Sequence, residues 1–373
     1  MNKKPFIFGI VCFLVIAAVI AGIIYAIFQA IKDDAKETVL APEPREGLTK
    51  MYVFGGWQAG IPDDAVMSDG ERYDPVSDTW TAVKPMSTAR VSHTVGGVTE
   101  DDGRYFLYAV GGWNDGSASL RVVEKYDLTN DIWEDVEPML EERKEHAVGV
   151  VTHSNDQKQY LYAVGGVVQS QYSTLSVLKY NHTTDSWGAV ANMQTARKRL
   201  GVGVVTHSND QKQYMYAVGG YNSSNRQLQS VERYDPTNDT WTQVAPISEK
   251  REGLAVGVLT EADGEQYLYA VGGYDGINFL DSVERYDPRN DVWTQVQSMA
   301  TERRQHTVGV VTESDGRQYL YAAGGWNYDE STTTTHTLAT VERYDPDKNS
   351  WTPVAPMSKE RFGLARTLIL GPE

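Results

Sequence analysis

Residues 201–247 read GVGVVTHSNDQKQYMYAVGGYNSSNRQLQSVERYDPTNDTWTQVAPI. Four short runs within them, GVGVV, QYMYAV, SVERY and WTQVA, are rich in β-branched and aromatic residues, and Asn, Asp and Gly turns separate them. Runs of that composition and length predict strands, and their close succession predicts an antiparallel meander. The order recurs. Six glycine pairs, Gly55-Gly56, Gly111-Gly112, Gly165-Gly166, Gly219-Gly220, Gly272-Gly273 and Gly324-Gly325, follow one another at intervals of 56, 54, 54, 53 and 52 residues. Trp80, Trp133, Trp187, Trp241, Trp293 and Trp351 keep step, each seven residues after Tyr73, Tyr126, Tyr180, Tyr234, Tyr286 or Tyr344. A period of this kind makes one repeat architecture of a chain whose 373 residues would otherwise suggest two or three domains. Thr152–Gly166 (THSNDQKQYLYAVGG) and Thr206–Gly220 (THSNDQKQYMYAVGG) differ at one position, the mark of a tandem duplication.

The double glycine with its spaced Tyr and Trp resembles the kelch repeat, six times over, across about residues 50–370. That resemblance and the four predicted strands per period agree on an all-β, six-bladed β-propeller, with strands A to D in each blade. Blades pack face to face and need large flat side chains between sheets, which the Tyr and Trp series supply. Gly96, Gly149, Gly203, Gly257 and Gly309 share one position in strand A, where the blades crowd the axis. The first glycine pair follows only Lys50–Phe54, so blade 1 lacks a strand A of its own. After Arg361-Phe362-Gly363-Leu364 the chain carries one more such strand, Ala365–Leu370, which is expected to close blade 1 and remove its open edge.

Residues Pro5 to Ile31 carry no charge. Twenty-seven residues make about 40 Å of helix, longer than the ~30 Å hydrocarbon core of a bilayer. Residues 1–31 are therefore expected to form a signal-anchor helix and 32–49 a charged linker, with 50–373 as the propeller. Lys3, Lys4 and the amino terminus favour an inside N-terminus, which places the propeller on the extracytoplasmic side as a single-pass membrane protein. Secretion after signal cleavage is the alternative. The net charge of −16 lies wholly beyond residue 49, which excludes a nucleic-acid partner. The one cysteine, Cys12, sits in the apolar segment, which excludes domain disulfides, thiol chemistry and the cysteine-linked tyrosine of galactose oxidase, another kelch propeller.

In a four-stranded meander the D–A and B–C connections share one face, and the A–B and C–D turns the other. The A–B turns total −6 and the C–D turns −9, whereas the D–A segments total +5 and the B–C loops about −6. A cation series stands just before each strand A: Arg90, Arg143, Arg197, Arg251, Arg303 and Arg361. Trp57, Trp113, Val167, Tyr221, Tyr274 and Trp326 follow the glycine pairs. Arginine forks and aromatic planes recognise anions and peptides, so the six arginines with Trp57, Trp113, Tyr221, Tyr274 and Trp326 form the candidate ligand-binding set. In kelch adaptors of the ubiquitin-ligase class, which the repeat resembles, this face takes up partner peptides, some acidic, and arginines here take part. The structural alternative pairs each arginine with a strand-C glutamate such as Glu124, Glu232, Glu284 or Glu342.

His93, His146 and His306 share a position three residues after the arginine, but in blades 2, 3 and 6 they are expected to be buried rather than to hold a metal. No catalytic residue, cofactor or metal is expected. The chain thus reads as a membrane-tethered, monomeric recognition module for a protein segment or an anionic glycan. The enzymatic alternative is a sugar-acid isomerase, by resemblance to the six-bladed N-acetylneuraminate epimerases.

Overall fold

The computed structural model describes residues 49–58, 65–115, 119–168, 172–224, 226–329, 334–364 and 370–371. Six four-stranded antiparallel sheets account for the strands that the repeat predicts. Blade 4 is representative, with strand A at Gly201–Thr206, B at Gln213–Val218, C at Val231–Asp235 and D at Thr240–Val244. Its register is unbroken, with Gly203 opposite Tyr216, Tyr216 opposite Arg233 and Arg233 opposite Thr242. In strand B, five of six residues are buried in blades 2, 3, 4 and 6, and seven of nine in blade 5, since both of its faces meet a neighbouring sheet. Strand D is half exposed at the periphery.

The core lies between blades. Tyr214, Tyr216 and Val218 of blade 4 form one apolar cluster with Val256, Leu268, Ala270 and Tyr286 of blade 5. The second strand-B tyrosine meets the strand-C tyrosine of the next blade: Tyr162 with Tyr234 at 5.6 Å, Tyr216 with Tyr286 at 5.5 Å, Tyr321 with Tyr73 at 5.5 Å. The strand-A glycines are dictated by the same closeness. A Cβ on Gly257 would stand 2.4 Å from Leu320 and 2.9 Å from Val308, both in blade 6.

At the periphery the Trp series ties each blade to its predecessor. The Trp241 indole donates to the Ala191 carbonyl at 2.9 Å, and the Ala191 amide donates to Asp239 at 2.9 Å. Asp239 also accepts the Tyr234 hydroxyl at 2.7 Å. The same two-point grip joins blade 1 to blade 6, where Trp80 and Asp78 hold Ala355.

The end of the expected closing strand is in place, and residues 365–369 of it lie outside the described residues. Leu370–Gly371 pairs antiparallel with strand B of blade 1, Met51 opposite Leu370 and Lys50 opposite Gly371, so the sheet reads closing strand, Lys50–Phe54, Gly70–Asp74, Thr79–Val83. The Thr312 amide of blade 6 donates to the Thr49 hydroxyl at 2.6 Å. Among the described residues no helix is long and apolar enough to cross a membrane, and the expected anchor at residues 1–31 lies outside them.

Candidate functional site

The D–A segment returns from the periphery to the axis, and its backbone docks on the B–C loop of the blade it leaves. The amide of Arg197 donates to the Thr174 carbonyl, and the amide of Gly166 donates to the Arg197 carbonyl. Gly165 and Gly166 have φ of 63° and 95°, and a Cβ on Gly165 would lie 2.4 Å from that carbonyl, which is why this pair is glycine. The arginine side chain then reaches forward into the next blade. Arg197 donates to the carbonyls of Gly219 at 2.7 Å and Ser230 at 2.9 Å, and to Glu232 at 2.7 Å. Glu232 also accepts the amides of Gln194 and Thr195 at 2.6 and 3.0 Å, so one carboxylate fixes the whole segment.

All six arginines of the series are fully buried, at 0% exposure. Arg90 pairs with Glu124, Arg251 with Glu284, Arg303 with Glu342 and Arg361 with Glu71. Burial lowers the pKa of Arg90, Arg197 and Arg303, and the paired carboxylate opposes the shift. Blade 3 departs from the pattern. Leu178 stands where the strand-C glutamate would be, Arg143 turns to Glu141 on its own segment, and burial brings its pKa down to about 10. As candidate ligand-binding residues, Arg90, Arg143, Arg197, Arg251, Arg303 and Arg361 are corrected to staples between blades. Their side chains turn into the sheet of the next blade, onto carbonyls and, in five blades of six, a strand-C carboxylate.

The next two residues of each segment form the mouth. The first pairs with the residue after a glycine pair: Val91 with Trp113, Lys144 with Val167, Lys198 with Tyr221, Glu252 with Tyr274, Arg304 with Trp326 and Phe362 with Trp57. The second is left-handed in every blade: Ser92, Glu145, Arg199, Gly253, Gln305 and Gly363, with φ between 50° and 64°. These six link amide to carbonyl in a closed ring. Ser92 donates to Gly363, Glu145 to Ser92, Arg199 to Glu145, Gly253 to Arg199, Gln305 to Gly253 and Gly363 to Gln305, at 2.7–3.0 Å. Strand A then walls an axial channel of about 340 Å³, lined by valines and glycines with Tyr105.

Around this ring the mouth divides in two. Trp57 stacks on Trp113 at 5.7 Å, Phe362 stands 6.4 Å from Trp57 and 6.0 Å from Trp326, and Phe279 bridges Trp326 at 5.0 Å and Tyr274 at 5.4 Å. That is an unbroken, partly exposed aromatic arc over blades 5, 6, 1 and 2. The rest is ionic. Arg199 bridges Glu145 at 2.7 Å and Glu252 at 3.2 Å, Lys198 meets Glu145 at 3.1 Å, and Arg304 meets Glu252 at 2.9 Å while lying over Trp326 and Tyr274. Tyr221 joins this half beneath Lys198, 5.7 Å from its ring centre. Trp57, Trp113, Tyr221, Tyr274 and Trp326 are thus brought to one mouth, whereas Val167 is buried. Phe279, Phe362 and the ionic residues were missed by sequence reasoning. A signal existed: the residue after each arginine changes from blade to blade, as a contact residue would.

His93, His146 and His306 are buried between glycine pairs. His93 lies against Gly55 on one side and Gly112 on the other, and Leu200, Leu254 and Leu364 take the equivalent place elsewhere. Burial and Arg90 hold the His93 pKa well below the ordinary imidazole value. No cluster among the described residues is arranged to hold a metal ion.

Residues 107–370 match the family model of the Attractin/LZTR1 β-propeller, and residues 48–87 match the kelch motif. The chain is 27% identical over 265 residues to Kelch-like protein 23 of Homo sapiens, covering 69% of this chain and 41% of that protein. It is 30% identical over 254 residues to Kelch-like protein 36 of Bos taurus, covering 66% and 38%. The chain spans about two fifths of the length of these curated relatives.

Proposed function

The chain belongs to the kelch-repeat β-propeller family, and on that premise we propose that it is a protein-recognition module that seats a partner segment across the D–A/B–C mouth. One observation carries this: aromatic planes from four blades stand side by side, partly exposed, on the face where the loops are longest and most unequal. Aromatic clusters of this kind dominate the energetics of protein interfaces. In the kelch adaptors that the repeat resembles, the same face takes up partner peptides. Tethering to a membrane through residues 5–31, with the propeller on the extracytoplasmic side, completes the proposal. The isomerase alternative called for arginines open to a sugar acid at this mouth, and their burial removes its support.

The test compares proteins retained by the full chain in detergent with those retained by Trp57→Ala and Trp326→Ala, each variant checked for an unchanged melting temperature. Partners held by the native chain and lost by both variants are expected. Partners held equally by all three would move the site elsewhere.

A further inference from the structure

The kind of segment that fits the mouth follows from its charges. The D–A segments total +5, less than the six charges of their own buried arginines, so no positive excess remains at the surface. The cations next to the ring are already engaged. Lys198 and Arg199 hold Glu145, Arg304 holds Glu252 beneath Trp326, and Lys144 stands over Trp113 at 5.9 Å. The B–C loops add about −6, the far face −15, and the chain as a whole −16. An acidic segment would approach a surface of net negative charge, whereas a basic one is drawn in.

Two exposed apolar side chains of this face belong to the hairpins that carry the arc. Ile277, 83% exposed, tips a rigid hairpin in which Tyr274 pairs with Phe279. Asp275 caps that turn by accepting the amides of Ile277 and Asn278 at 2.6 Å, so little conformational freedom is lost when the tip is covered. Tyr328, in the hairpin that begins at Trp326, is 38% exposed.

Resting on the recognition role proposed above, we infer that the occupant of the mouth is an extended peptide segment with an apolar centre and basic flanks. The centre lies along the arc from Trp113 through Trp57, Phe362 and Trp326 to Phe279 and reaches Ile277. The flanks take up the surrounding negative potential. An acidic peptide does not qualify.

The test is selection of a phage-displayed library of random dodecapeptides on the full chain in detergent, followed by affinity measurement on the enriched peptides. Enrichment of apolar cores with Lys or Arg flanks is expected. Affinity should fall at least tenfold with Trp57→Ala, and severalfold with Ile277→Ser, a variant too exposed to disturb the fold. Raising salt from 50 to 500 mM should slow association. Enrichment of Asp- or Glu-rich peptides that compete at the mouth would overturn the inference and leave the recognition role standing. No enrichment, or peptides indifferent to Trp57→Ala and Ile277→Ser alike, would overturn both.

Discussion

Arg197→Ala tests whether the arginine series is framework. The substitution removes donors from the Gly219 and Ser230 carbonyls and strips Glu232 of its cation at a site with no exposure. Removing one member of a buried ion pair costs about 3–5 kcal/mol, because the other charge stays buried without its partner. Unfolding entropy near 2.1 cal/mol/K per residue gives residues 50–373 about 0.7 kcal/mol/K, so the melting temperature should fall by about 4–7 °C. Arg143→Ala should cost less, since its partner Glu141 is 27% exposed and Leu178 leaves no carboxylate stranded in the sheet. Replacing Arg197 and Glu232 together by Met and Leu should restore most of the loss, as apolar substitutes for a buried pair often do. Calorimetry of the full chain in detergent measures all four proteins. A change below 1 °C in Arg197→Ala, or equal losses at positions 197 and 143, would refute the staple assignment and return the arginines to the ligand.

Deleting Arg361–Glu373 removes the closing strand, the Arg361–Glu71 pair and the Gly363 link of the ring, so the product should aggregate; a monomer that melts like the parent would show that closure lies elsewhere. His93 has its folded pKa below its unfolded value, so its contribution is intact above about pH 6.5 and is lost as pH falls, by up to about 1.4 kcal/mol per unit. Urea midpoints between pH 7.5 and 4.5 should decline, with His153 and His207, also depressed, adding to the slope. His93→Leu should flatten that decline, and an unchanged slope would place the sensitivity in other groups. Retention of the full chain in membranes washed with carbonate, and its release by detergent, is expected of the apolar span at residues 5–31; release by carbonate alone, or a mature N-terminus near residue 30, would exclude a retained anchor.

The fold was legible because its causes repeat. Glycine pairs, Tyr and Trp recur wherever a blade must meet its neighbour, and period alone fixes the number of blades. The candidate site was half legible for the same reason. Arg90 and its five equivalents drew attention by being invariant among blades, but a demand common to all blades is a demand of the framework. The Glu of SVERY, present in five blades out of six in step with the arginine, was the sign of where the guanidinium goes. Phe362 and Arg304 could not be placed beside Trp57 and Trp326 from spacing, because the contact depends on a left-handed residue turning each segment across the axis.

The ring at the mouth and the pairing of Lys50 with Gly371 also bear on how the protein is made. A solenoid gains stability repeat by repeat, but a closed ring leaves its first blade one strand short until its last strand exists. At about 5–20 residues per second, some 320 residues separate the emergence of Lys50 from that of Gly371 by roughly 15 to 65 seconds. Throughout translation the nascent chain therefore presents the bare edge of Met51–Phe54 to its surroundings. Contacts so distant in sequence are of the kind that slow folding. The interval before the ring shuts is where a chaperone is needed most and where a defective last strand exposes the chain to aggregation.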